Sequence, residues 1–350
     1  MTEDDRLKAV RIQAPGGIDA LRHEDCKEPQ LERPADVTVK LVAAAVNRLD
    51  LELRSGANRQ FFFPHILGCD GAGRIEAVGS AVRHLESGDA VCIYPFVHCE
   101  ECEFCAVKEY HLCADPHILS ECENGTYAQY ITVPAESCFP IPFQFSFEEA
   151  AAFPLVYTTA WRLLMTQGKL SPGETVLIRG VGGGIAMAAL QIAASVGARL
   201  IVSSANDEKL ARAKALGFEL TINDQKVDLA KEVRRLTAKH GVDLVVDCIG
   251  GADWGKSLAC LARGGRLITC GAIAGANPRS DLRRIFWNHL KICGATHPTR
   301  EEFRQVLKFF AYSGVKPVID TVYALREAGQ AHRLMEQRRQ FGKIVLRTDN

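Results

Sequence analysis

Residues 175–186 read Thr-Val-Leu-Ile-Arg-Gly-Val-Gly-Gly-Gly-Ile-Ala. Thr175 to Ile178 is a run of strand formers, and the amphipathic Met187 to Val196 beyond it reads as a helix. Between them lie glycines that permit a tight turn and let backbone N–H groups approach a pyrophosphate at the positive end of the helix. The spacing that fits best is Gly180-x-x-Gly183-x-x-Ala186, with Ala186 as the small residue that keeps helix and strand close. The stretch predicts a dinucleotide site on Gly180, Gly182, Gly183, Gly184 and Ile185. The bland alternative is a plain strand-to-helix turn.

Working outward, strand-like runs recur at Thr175 to Ile178, Arg199 to Ser203, Glu219 to Ile222, Asp243 to Asp247, Arg266 to Cys270 and Leu290 to Ala295. The intervals are long enough for crossover helices, so the pattern predicts a doubly wound, six-stranded parallel sheet in an α/β chain. The second run ends about 20 residues past the glycine motif, where an NAD site usually offers a carboxylate to the ribose hydroxyls. Here the tip reads Ser203-Ser204-Ala205-Asn206, with Lys209 one helical turn on. Hydroxyls and an ammonium accept a 2′-phosphate that a carboxylate would repel, so NADP(H) is favoured over NAD(H). Asp207 is expected to cap the following helix. Lys209 as a solvated helix residue is the competing reading.

The chain has 350 residues with 42 basic and 42 acidic side chains. Its length suits two domains, and the balanced charge draws it to neither nucleic acid nor an anionic membrane. The uncharged stretch Gly180 to Ala198 approaches the length of a membrane span, but five glycines and Gln191 argue against one. The acidic opening, MTEDDRLKAV, lacks the features of a signal peptide, and cytoplasmic residence is the expectation. The N-terminal part reads as β-rich, notably Val37 to Asn47 and Gly71 to Gly79. Ser146-Phe-Glu-Glu149 and Thr299-Arg-Glu-Glu302 each have the form of a capping box, and Gly314 is expected to stop the second helix. The predicted domain bounds are 1–152, 153–297 and 298–350, the last ending in strand-like runs.

Of thirteen cysteines, Cys99, Cys102, Cys105 and Cys113 form C-x2-C-x2-C-x7-C. Four thiolates on one short loop suit a single tetrahedral zinc with no open position, hence a structural role for a lobe spanning about residues 95–115. An iron–sulfur cluster fits less well, because the spacing departs from the ferredoxin runs and no Pro follows Cys113.

A β-rich start, a four-cysteine lobe, a glycine turn and a six-strand repeat, in that order, resemble the medium-chain dehydrogenase/reductase superfamily. Further matches are Gly68-Cys-Asp-Gly-Ala-Gly73, Gly125-Thr-Tyr-Ala128, Val245-Val-Asp-Cys-Ile-Gly250, Gly264-Gly-Arg-Leu-Ile268 and Gly342-Lys-Ile-Val345. The resemblance implies a GroES-like catalytic domain that residues 298–350 return to complete, a central Rossmann domain, a cleft between them, and a homodimer or homotetramer acting on a small molecule. It also marks a departure from the zinc alcohol dehydrogenases of that superfamily. Their first catalytic ligand, a Cys, is Asn47 here; their His-Glu is Cys69-Asp70; and their last Cys falls near Leu155. The hydroxyl of their proton relay becomes Leu49. Only Cys69 and Asp70 keep donors, short of the three protein ligands a catalytic zinc needs. Asn47-x-x-Asp50-x-x-x-Arg54-x-Gly56 resembles the zinc-independent quinone oxidoreductases.

The expected activity is therefore NADP(H)-dependent hydride transfer to a carbonyl, enone or quinone, with one structural zinc per subunit. Asn47 and Tyr157 are candidate hydrogen-bond donors to the developing oxyanion, with Asp50 beside them. Thr159 is placed at the nicotinamide end, and Arg48 at the pyrophosphate. Each has a bland alternative: Asn47 and Asp50 as caps, Tyr157 as a packing residue. His65 is read as a core or surface histidine and Cys69 as an inert thiol. A zinc alcohol dehydrogenase with atypical ligands and a non-catalytic dinucleotide-binding protein are the competing functions. Ile285, Phe286, Trp287 and Ile292 serve either an intersubunit surface or the core.

Overall fold

The six runs that follow Pro172 all form strands, and they assemble into one parallel sheet. In the computed structural model, which describes residues 6–56 and 62–348, their order across the sheet is Thr221–Asn223, Arg199–Ser204, Thr175–Arg179, Val242–Val246, Leu261–Thr269 and Lys291–Gly294. Val176, Leu177, Ile178, Leu244 and Val245 are fully buried, as expected of strands covered on both faces. Chain order reverses between Thr175–Arg179 and Val242–Val246, and ligands of such sheets bind outside the carboxyl ends of the strands at that reversal.

The chain divides into two compact units, residues 1–155 with 299–350 and residues 156–298. The first is built on a seven-stranded sheet whose centre is the long strand Asp36–Val46. Asp70–Val78 lies antiparallel on one side of it and Lys343–Arg347 antiparallel on the other. The C-terminal strand Lys343–Arg347 thus joins the sheet beside a strand from near the start of the chain, Asp36–Val46.

Local signals set the helix ends. Ser146 and Thr299 form the two capping boxes with Glu149 and Glu302, and the helix Arg300–Ser313 stops at Gly314 with φ +68°. One cap differs from expectation. Asn206, and not Asp207, caps Asp207–Ala215, its side chain accepting the Lys209 N–H at 3.1 Å. Asp207 instead faces Lys226 at 2.5 Å and Asn223 at 2.7 Å. Gly184–Val196 is a 13-residue helix, and among the described residues no helix is long and apolar enough to cross a membrane. Residues 1–5, where the acidic opening begins, lie outside the described residues.

Candidate active site and metal centre

The cysteine lobe contains little apolar core. Val107 and Leu112 are exposed and only Cys105 and Cys113 of its middle are buried, so hydrophobic burial does not hold it. Its four Sγ atoms lie within 4.8 Å of one another, with Cys99 and Cys113 at 3.4 Å and Cys99 and Cys105 at 4.0 Å. Tetrahedral zinc with Zn–S bonds of about 2.3 Å sets its sulfurs about 3.8 Å apart, so the residues fit the ion. The N–H groups of Cys99 and Ala114 point at Cys113 Sγ and Cys102 Sγ, a donor arrangement that stabilises thiolates. Cys102 is drawn down to about 6, first by the Ala114 N–H. Among the described residues no other group of three or more His, Cys, Asp or Glu side chains converges in this way.

Strand register builds a second site in the same unit. Ile344 pairs with Val46 and Asp70 with Ala45, so Lys343 and Asp70 flank the strand end that carries Asn47. Lys343 Nζ lies 2.5 Å from Asn47 Oδ1 and 2.9 Å from Asp70 Oδ2. Asn47 Nδ2 donates to the same Asp70 oxygen at 2.8 Å, and the Leu155 N–H to the other at 2.8 Å. All three side chains are buried. Cys69 Sγ stands 3.4 Å from Asn47 Nδ2, and burial, with Asp70 second, pushes its thiol well above the ordinary range. A buried thiol held protonated in this way is a poor nucleophile.

Beneath this group runs a buried polar chain. Asp50 Oδ2 accepts the Asn47 N–H at 2.7 Å and the Tyr127 hydroxyl at 2.9 Å. Tyr127 Oη is 3.3 Å from His332 Nε2, whose other nitrogen is 3.1 Å from Arg54, and Arg54 continues to Glu336. The first contact is the reciprocal half of a helix cap, so Asp50 caps Arg48–Ser55 and also anchors the network. Burial raises Asp50 from 3.8 to about 7, opposed by the Asn47 N–H, the Tyr127 hydroxyl and Lys343 and aided by Asp70. Between those values the folded chain holds a proton that the unfolded chain has released, so stability falls as pH rises through the window, by up to about 1.4 kcal/mol per pH unit. Asp50→Asn, which retains an acceptor for Asn47 and Tyr127, is expected to flatten that slope. Unfolding midpoints from about pH 4 to about pH 8, wild type against variant, check it.

In the second unit the glycine turn has its expected form. Gly180 and Gly182 take φ +76° and +95°, and Gly183 precedes the helix Gly184–Val196. A Cβ on Gly182 would come within 2.7 Å of Lys209 Cδ and 3.2 Å of its Nζ, so the Lys209 side chain lies along the turn. Ser203 is fully buried and its hydroxyl is 3.0 Å from Asp224, while Ser204 Oγ accepts the Asn206 N–H at 3.2 Å. Tyr157 Oη donates to Gln191 at 2.5 Å, and Thr159 is buried on the helix Pro154–Trp161. Arg48 is exposed and reaches Glu52 at 3.4 Å. His65 is buried with Nε2 2.9 Å from the Ser120 carbonyl, a core histidine.

Alcohol dehydrogenase GroES-like domains match residues 33–143, and zinc-binding dehydrogenases match residues 184–312. A zinc-type alcohol dehydrogenase-like protein of Schizosaccharomyces pombe is 32% identical over 98% of this chain and 99% of its own. The chain belongs to the medium-chain dehydrogenase/reductase superfamily. Quinone oxidoreductase of Homo sapiens is 26% identical over 97% of both chains. A crystal structure of an NAD-dependent alcohol dehydrogenase superposes with a TM-score of 0.93 at 40% identity, over 97% of this chain and 99% of that one. This member of the superfamily is an oxidoreductase, and its parallel sheet is the Rossmann sheet.

Against the superfamily pattern, the donor set at Asn47, Cys69 and Asp70 does not suit a catalytic zinc. Both Asp70 oxygens are occupied, one by a buried ammonium, and a divalent ion there would face that ammonium at close range. Sequence reading missed Lys343, Tyr127, His332 and Arg179. The first two lie in Gly342-Lys-Ile-Val345 and Gly125-Thr-Tyr-Ala128, motifs already singled out. Arg179 is a buried cation ending an apolar strand, 3.3 Å from both Asp224 and Asp247.

Proposed function

We propose that this protein is an NADP(H)-dependent reductase of conjugated carbonyls, enones or quinones that works without catalytic zinc. The observation that carries the reading is Lys343: its ammonium is bonded to Asn47 and Asp70, where the zinc alcohol dehydrogenases of the superfamily gather their metal ligands. A reduced nicotinamide dinucleotide held at the turn Gly180 to Gly184 would supply the hydride that an electron-poor carbon accepts, leaving negative charge on the remote oxygen. This chain has to place and neutralise that charge. Lys343 offers three N–H donors, of which Asn47 and Asp70 take two, and the third is assigned to the developing oxyanion. Asn47, held between Lys343 and Asp70, orients the ammonium; its own N–H groups point to Asp70, Ala45 and Cys69. Tyr157 is a weaker donor candidate, since its proton is directed at Gln191. NADPH consumption across a panel of enones, quinones and aldehydes, unaffected by chelators, is the expected result. Chelator-sensitive alcohol oxidation would support the zinc enzyme instead, and tight NADPH binding without turnover the non-catalytic reading.

Preference for NADP(H) rests on Lys209 along the glycine turn and on Asp207 being drawn to Lys226. Lys209→Ala is expected to weaken NADPH binding about tenfold while changing NADH binding little, as two fluorescence titrations would read. A single structural zinc on Cys99, Cys102, Cys105 and Cys113 completes the assignment. Copies of the chain are assigned to associate through the edge strand Lys291–Gly294, beside which Leu282, Phe286 and Trp287 stand 70, 62 and 68% exposed. Ile285, in contrast, packs against the core.

A further inference from the structure

Cys248 and Cys270 follow the carboxyl ends of neighbouring parallel strands. Val246 pairs with Ile268, and each cysteine lies two residues beyond, so the register sets the two opposite one another. Neighbouring strands run about 4.8 Å apart, inside the Cα range of about 4.4 to 6.8 Å that a disulfide tolerates. The Sγ atoms are 3.2 Å apart and both residues are half-buried, so a small reagent can reach them. The loops that carry the pair are tied together: Ala274 N donates to the Ile249 carbonyl at 2.8 Å and Gly251 N to the Gly275 carbonyl at 2.9 Å. Ile249, the neighbour of Cys248, covers the glycine turn, since a Cβ on Gly180 would meet its Cδ1 at 3.3 Å. The pair therefore stands one residue from the surface that receives the pyrophosphate.

We propose that Cys248 and Cys270 are a reversible dithiol–disulfide couple, closed by small-molecule disulfides, whose oxidation weakens the dinucleotide site. The contact with Cys248 and then burial hold the Cys270 thiol well above its ordinary range, and the exchange is written with Cys248 as the first attacking sulfur. Its thiolate attacks one sulfur of oxidised glutathione, whose S–S bond breaks and releases one glutathione. Cys270 then gives up its proton and attacks Cys248 Sγ, expelling the second glutathione. Two protein thiols become one disulfide, the reagent gains two electrons, and both protons end on the released thiols. Closing the bond draws the sulfurs about 1 Å together and shifts the Ile249 segment against Gly180. This inference needs only the dinucleotide site, not the choice of substrate.

The test treats the zinc-loaded protein with oxidised glutathione, then maps peptides by mass and titrates NADPH and NADH. The expected result is a peptide pair joined through Cys248 and Cys270, two hydrogens lighter, with unchanged zinc content. The affinity of whichever nucleotide binds the reduced protein more tightly falls about fivefold or more, and dithiothreitol reverses it. Cys248→Ser and Cys270→Ser should each lose both the link and the fall in affinity. Separate glutathione adducts without a link, a link with unchanged affinity, or a fall that persists in Cys270→Ser would each overturn the proposal. A protein that turns over enones yet shows none of this fails here alone; one that forms the link and loses affinity but reduces no acceptor fails only as a reductase.

Discussion

Lys343→Met is expected to lower kcat about 10² to 10³-fold, the usual loss when one donor to a developing oxyanion is removed. It is also expected to cost about 3 to 5 kcal/mol of stability, because Asp70 is left as a buried charge without its counter-ion. The two losses separate by combining the change with Asp70→Asn. An amide at position 70 can still accept the Leu155 N–H but carries no charge, so the double variant should regain most of the unfolding midpoint. Turnover should stay low, since the donor is still missing. If Asp70→Asn restored activity along with stability, Lys343 would be a structural counter-ion only. Steady-state kinetics with NADPH and an enone, beside thermal unfolding of the three variants, read both effects.

Cys105→Ser is expected to abolish zinc retention in the lobe and unfold it. Structural zinc binding carries apparent free energies of about 10 to 16 kcal/mol in small zinc domains, and this lobe has little else to hold it. Cys105 is one of its two buried thiols, and its neighbours from Glu103 to Leu112 are otherwise exposed or half-buried. Elemental analysis should fall from about one zinc per subunit to none. Proteolysis should then cut within the lobe before it cuts elsewhere, as expected of a locally unfolded segment. A variant that keeps its zinc would mean that three sulfurs suffice, and a variant without zinc that resists proteolysis would show that packing holds the lobe.

The residues that could be read directly are those whose partners are close in sequence or whose surroundings impose a pattern. The parallel sheet was legible first from its inner strands Thr175–Arg179 and Val242–Val246, whose largely buried residues read as continuous apolar runs, whereas the edge strand Lys291–Gly294 is mostly exposed and showed through its place in the strand–helix alternation. The capping boxes at Ser146 and Thr299 span four residues each, and the four-cysteine motif Cys99 to Cys113 fifteen. Lys343 was not legible as a site residue, because it lies 296 positions from Asn47 and meets it only through the register of the two strands that carry or precede them. Tyr127 meets Asp50, and His332 meets Tyr127, only once residues from distant parts of the chain and the C-terminal helix Ala328–Glu336 come together. Ser203 illustrates a subtler limit: the strand tip was located, but which of its two hydroxyls turned inward depended on Asp224, a residue on the next strand's loop.

The measurement that bears most directly on the zinc-independent assignment is zinc per subunit in protein purified without added metal, against an accurate protein concentration. About one zinc is expected, held by Cys99, Cys102, Cys105 and Cys113 and absent from the Cys105→Ser variant. About two, with one remaining in that variant, would mean that Cys69 and Asp70 recruit a metal despite Lys343, and would contradict the account.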